Sequence, residues 1–143
     1  MDFTRAIELN PNHAQAFYNR GNAYTQEQDQ NSATQDYTKA VDLDPYHADA
    51  FNNRGNIYAE KDDPNAAISD YTKVISLDPT YTNTFYNQAC AYSLKQVPGT
   101  IVEDLTTAIK LDPSSKEEAK TDPDPAWARD NIPEVRHLLG LDP

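Results

Sequence analysis

A single ten-residue phrase, first met as Asp2-Phe3-Thr4-Arg5-Ala6-Ile7-Glu8-Leu9-Asn10-Pro11, occurs four times in this 143-residue chain. Its copies end at Pro11, Pro45, Pro79 and Pro113, spaced 34 residues apart each time. A fixed period of that length constrains the fold more than any other feature. Each period is one small structural unit that cannot bury its apolar face alone and must stack on its neighbours. Whole units run 14–47, 48–81 and 82–115; the first two agree at 18 of 34 positions and the second and third at 11 of 34. Residues 2–13 match only the second half of a unit, and 116–143 leave the period.

Within a unit the apolar and small residues keep helical spacing, as in Phe17, Gly21 and Tyr24, then Ala33, Tyr37, Ala40, Val41 and Leu43. Two antiparallel helices per unit are expected. Start signals for the second helix are Asn31, Asp63-Pro64 and Pro98, and Pro45, Pro79 and Pro113 stop it. Gly21 and Gly55 are expected to let the helices approach closely against Ala33 and Ala67.

A 34-residue period with Phe, Gly or Ala, Tyr, Ala, Tyr and Pro at these places resembles the tetratricopeptide repeat family over residues 2–115. The resemblance implies an all-α, right-handed solenoid of helix-turn-helix repeats that binds other proteins. Residues 2–13 then form an orphan second helix of a truncated repeat, with Phe3, Ile7 and Leu9 uncovered and open to self-association. The run from Asp122-Pro123-Asp124-Pro125-Ala126-Trp127 to Leu138-Leu139-Gly140 resembles the tail after the last repeat in many bacterial-type members, so 116–143 are expected to cap the array with one or two short helices. Departures from the family pattern are Arg20, Arg54 and Gln88 where Leu is usual, Ala89 for Gly, and Ile101 and Leu105 for Ala and Tyr. They predict a different helix crossing in the third unit.

Twelve Lys and Arg against 23 Asp and Glu leave a formal charge of −11, the wrong sign for a nucleic-acid or anionic-membrane partner. The nine Tyr argue for an ordered, partly aromatic core. Cys90 is the single cysteine, so there is no internal disulfide and no Cys-rich zinc site, and a cytoplasmic or other soluble reducing compartment is expected. No apolar run is long enough to insert directly into a membrane, and the first residues lack an apolar signal core.

No catalytic constellation, metal site or cofactor is expected, and the chain does not read as an enzyme. His13, His47 and His137 have no Cys, Ser and acid near them in sequence and read as solvated or helix-capping residues. In the tetratricopeptide family the first helices line a concave groove. The matching residues are Gln15, Tyr18, Asn22 and Gln26, then Asp49, Asn52, Asn56 and Glu60, then Asn83, Tyr86, Cys90 and Leu94. None of these twelve is Lys or Arg, so the basic clamp that grips a peptide carboxylate in co-chaperone members is absent. Asn19, Asn53 and Asn87 occupy one place in all three units. They resemble the Asn ladder of glycosyltransferase-associated repeats, which holds a peptide backbone by paired amide bonds; the competing expectation is that they only tie neighbouring helices together. Arg20 with Asp36 and Arg54 with Asp70 are expected as structural ion pairs between the two helices of a unit.

The function expected from these residues is a scaffold that binds an extended or helical segment of a protein partner, with Tyr18 and Tyr86 as aromatic anchors, in the assembly of a larger complex. The alternative is a substrate-presenting segment of a larger enzyme, a glycosyltransferase or kinase.

Overall fold

A computed structural model describes residues 3–81 and 83–142. Asp2, Thr82 and Pro143, which bound three of the expected segments, lie outside the described residues. Every regular element described is a helix: α1 (Phe3–Leu9), α2 (Ala14–Gln26), α3 (Gln30–Leu43), α4 (Ala48–Glu60), α5 (Pro64–Leu77), α6 (Thr84–Leu94), α7 (Ile101–Leu111), α8 (Ser114–Thr121), α9 (Ala126–Asn131) and α10 (Pro133–Leu138). The helices pack in chain order, α2 on α3, α4 on α5 and α6 on α7, with each pair resting on the next. The result is an all-α solenoid.

Local chemistry sets the boundaries. His13 and His47 cap α2 and α4, their Nδ1 atoms accepting from the Ala16 and Ala50 amides at 2.9 and 3.2 Å. Asp29 and Asp63 cap α3 and α5 through the Ser32 and Ala66 amides. Helix α3 therefore starts one residue before Asn31, because the Asp29 carboxylate is the better cap. Likewise Pro98 sits in the turn and α7 begins at Ile101. What a Cβ at Gly21 or Gly55 would meet first is a ring: it would lie 2.7 Å from Tyr37 and 2.9 Å from Tyr71. The missing side chain makes room for the tyrosine ring of the second helix.

Between the helices of the first two pairs sits a repeated polar cluster. Arg20 Nε and Nη2 donate to Asp36 at 2.7 and 2.8 Å, and Arg54 Nε and Nη2 donate to Asp70 at 2.9 and 2.7 Å. Each guanidinium also lies over two rings, Phe17 and Tyr24 or Phe51 and Tyr58, and reaches a threonine hydroxyl of the preceding helix, Thr4 or Thr38. In the third pair Gln88 takes the arginine's place. Its amide lies between Thr72 Oγ1 at 2.9 Å and the Asp104 carboxylate at 3.1 and 3.3 Å. The nitrogen turned to Asp104 satisfies both contacts, so Gln88 donates to Asp104 and accepts from Thr72. Asp104 also accepts from Thr100 Oγ1 at 2.5 Å.

The ends differ from the middle. Ile7 of α1 packs on the first core cluster with Phe17 and Tyr37, whereas Leu9 is 72% exposed. Among the described residues three short helices, not one or two, follow the last pair. Their Ala119, Ala128 and Val135, with Leu139 just beyond α10, join Ile101 and Leu105 in one core with Tyr86 and Cys90. The tail is thus part of the third unit's core.

Candidate concave groove

The groove is laid along α2, α4 and α6, and its floor is a relay of side chains. Tyr37 Oη donates to Asn22 Oδ1 at 2.6 Å, and Asn53 Nδ2 donates to the same oxygen at 3.1 Å. One period on, Tyr71 Oη donates to Asn56 Oδ1 at 2.7 Å and Asn87 Nδ2 does so at 3.4 Å. Each groove asparagine therefore joins its own helix pair to the next. Burial pushes the Tyr37 and Tyr71 phenols up, keeping both protonated as donors.

Two adjoining hollows open over this floor. The first, about 380 Å³, is lined by Asn22, Gln26, Asn53, Asn56 and Glu60 among others. The second, about 510 Å³, shares Asn56 and Glu60 with it and adds Asn87, Leu94 and Asp124. The two hollows adjoin at Asn56 and Glu60, which line both. Tyr37, Tyr71 and Thr25 line it too, and sequence reasoning missed them as site residues. The recurrence of Tyr37 and Tyr71 beside the Gly21 and Gly55 series was the available signal.

Other expected residues lie elsewhere. Gln15 bridges Asn19 Oδ1 and His47 Nε2, both at 3.1 Å, and Asp49 accepts from Tyr81 Oη; these exposed contacts sit beside the inter-pair turns. Tyr18 is half-buried, its ring 4.6 Å from His47 and its hydroxyl reached by Asn53. Asn52 Nδ2 donates to Asn53 Oδ1 at 3.4 Å, while its own Oδ1 is enclosed without a partner. Asn83 faces a separate, small hollow with Phe85 and Leu111.

Tyr86 and Cys90 correct the sequence reading most clearly. Tyr86 is buried and donates to Asp122 Oδ2 at 2.7 Å, so the tail covers it and it offers no ring to a partner. Cys90 is 7% exposed. Burial, with the charges of Asp122 and Asp124 added, pushes its thiol well up, so it stays protonated and is no nucleophile. Among the described residues no group of three or more His, Cys, Asp or Glu is placed to hold a metal ion. No helix described is long and apolar enough to cross a membrane.

Family models for the tetratricopeptide repeat match residues 3–35 and 48–81, and one for the TPR repeat matches 21–62, so together they tile 3–81. No curated protein matches. Among solved structures, a crystal structure of MamA protein is 23% identical with a TM-score of 0.71, covering 84% of this chain and 64% of that one. The present chain thus spans somewhat under two thirds of that MamA chain. The Arabidopsis OM64 TPR domain is 21% identical with a TM-score of 0.69, covering 83% and 96%. The second TPR of Spaghetti (RPAP3), bound to the HSP90 peptide SRMEEVD, is 25% identical with a TM-score of 0.66, covering 69% and 92%.

Proposed function

The chain belongs to the tetratricopeptide repeat family, and we propose that it is a non-catalytic scaffold holding an extended or helical segment of a protein partner in its concave groove, in the assembly of a larger complex. The observation that carries this reading is the succession of two hollows along α4, adjoining at Asn56 and Glu60. A preformed groove with a hydrogen-bonded floor spends little ordering entropy when a segment enters. The units 14–47, 48–81 and 82–115 would each contribute one first helix to it.

The residues meant for a ladder support a different division of labour. Asn53 and Asn87 already donate to the neighbouring helix, which favours a fastening role over a grip on peptide backbone. Tyr18 and the hollow walls are left to meet the partner.

Affinity capture with this chain, followed by mapping of the retained segment, tests the proposal when the segment is titrated against Gln26→Trp. Gln26 is exposed and lines the first hollow, so the indole should plug the groove without disturbing the core, and affinity should fall about tenfold or more. Unchanged affinity would place the partner elsewhere.

Acidic C-terminal peptides of the SRMEEVD type should not bind measurably. The first helices offer no Lys or Arg to the groove, and a chain of net charge −11 repels such ligands. Calorimetric binding at a low-micromolar Kd, about −8 kcal/mol, would contradict this.

A further inference from the structure

The second hollow differs from the first in what closes it. Its walls come from three places: Asn56, Ala59 and Glu60 at the end of α4 with Asp62 just beyond, Asn87 and Leu94 of α6, and Asp124 from the non-repetitive tail. Tyr71 forms part of the floor. The lining of this hollow of about 510 Å³ is more polar than apolar, with Leu94, Ala59 and the tyrosine ring as the apolar part a methylene stem would lie against. Three carboxylates, Glu60, Asp62 and Asp124, share its lining, with no basic residue among them.

Among the described residues no cation neutralises those charges. None of the three carboxylates is in an ion pair among the described residues; Glu60 takes only a neutral amide, Gln30 Nε2, at 2.6 Å. Arg20 and Arg54 are committed to Asp36 and Asp70, and Lys61 donates to Asn31. Partial burial pushes the Asp124 carboxyl up, and the charge of Asp122, two residues before it, adds to the push. The tail that covers Tyr86 through Asp122 thereby delivers Asp124 to the open groove.

Building on the groove proposed above, we infer that the second hollow is a subsite for one Lys or Arg side chain of the bound segment, so that the partner presents a basic peptide. The stem lies against Leu94 and Tyr71, and the cationic head meets Asp124, Glu60 and Asp62 through charge-assisted bonds. The neighbouring amides of Asn56 and Asn87 set the head's approach without competing for charge.

The test is selection of a random ten-residue peptide library displayed on phage, keeping clones that wild type retains and Gln26→Trp loses. Such groove clones should share one Lys or Arg at a fixed position. A synthetic peptide of that sequence should lose about tenfold or more in affinity to Glu60→Gln/Asp124→Asn, and equally when its basic residue becomes Ala, with the two losses not adding. The same-charge control Glu8→Gln/Glu134→Gln, on exposed residues outside the groove, should lose much less. Thermal melts confirm that the variants fold, and Asp62→Asn supplies a second variant at the rim. Groove clones without a basic preference, or basic peptides that tolerate the double variant, overturn the subsite while leaving the groove standing. Failure to select any groove-dependent clone overturns both.

Discussion

Arg54→Ala should lower the chain's stability by about 3–5 kcal/mol, because it strands a buried carboxylate. Asp70 is 3% exposed and holds both oxygens on the Arg54 fork at 2.7 and 2.9 Å. Its bond to Asp70 raises the Arg54 guanidinium further into its charged form. Removal also empties the space between Phe51 and Tyr58 and leaves Thr38 without a donor. A fall of about 10 °C or more in Tm is expected. Adding Asp70→Asn should recover a substantial part of the loss, since the uncompensated charge is then gone. A melt within about 2 °C of wild type would show that the pair contributes little.

The third helix pair already contains a natural version of that defect, and its repair is the second large effect expected. Gln88 stands where Arg20 and Arg54 stand, while Asp104, the flanking Phe85 and Tyr92, and Thr72 keep the surroundings of the earlier pairs. Without a cation, burial pushes the Asp104 carboxyl up to about 6, Glu103 adds to the push, and the Thr100 hydroxyl only partly opposes it. Between about pH 4 and that value the folded chain holds a proton that the unfolded chain has released. The stability due to Asp104 is therefore greatest below pH 4 and is lost as pH rises through 6. Gln88→Arg should reverse this by giving the carboxylate its fork. At pH 7 the gain should be about 1.5–3 kcal/mol, and melts across pH 4 to 7 should lose the part of their slope that belongs to Asp104. Asp104→Asn should flatten the same slope without the full gain. An arginine variant no more stable than wild type at pH 7 would show that the third pair has repacked around glutamine.

The period made the helix pairs legible before any coordinates. So were the ion pairs, because Arg20 and Asp36, or Arg54 and Asp70, are the polar residues that an antiparallel pair brings to one level. What the period could not show was the work of residues outside it. Tyr86 and Cys90 fall at groove positions by register, yet the tail, which has no repeat partner to be compared with, lies over them through Asp122. Asp124 was invisible as a groove residue for the same reason. The relay through Asn22 and Asn56 was missed because an asparagine on a concave face reads equally well as a ligand contact or as a bond to the next helix. The tyrosine hydroxyls at 2.6 and 2.7 Å show the bond to the helix pair.

That relay bears on how the groove meets a partner. Each link spans two neighbouring helix pairs, so bending the solenoid open or winding it tighter would stretch Asn53 from Asn22 and Asn87 from Asn56 and leave their polar atoms unsatisfied beside buried rings. The spacing of neighbouring helix pairs is thus tied to the same atoms that form the groove floor. If the groove holds a segment as proposed, that segment meets a spacing the host has already set, and selection among partners would rest on their backbone shape as well as on their side chains.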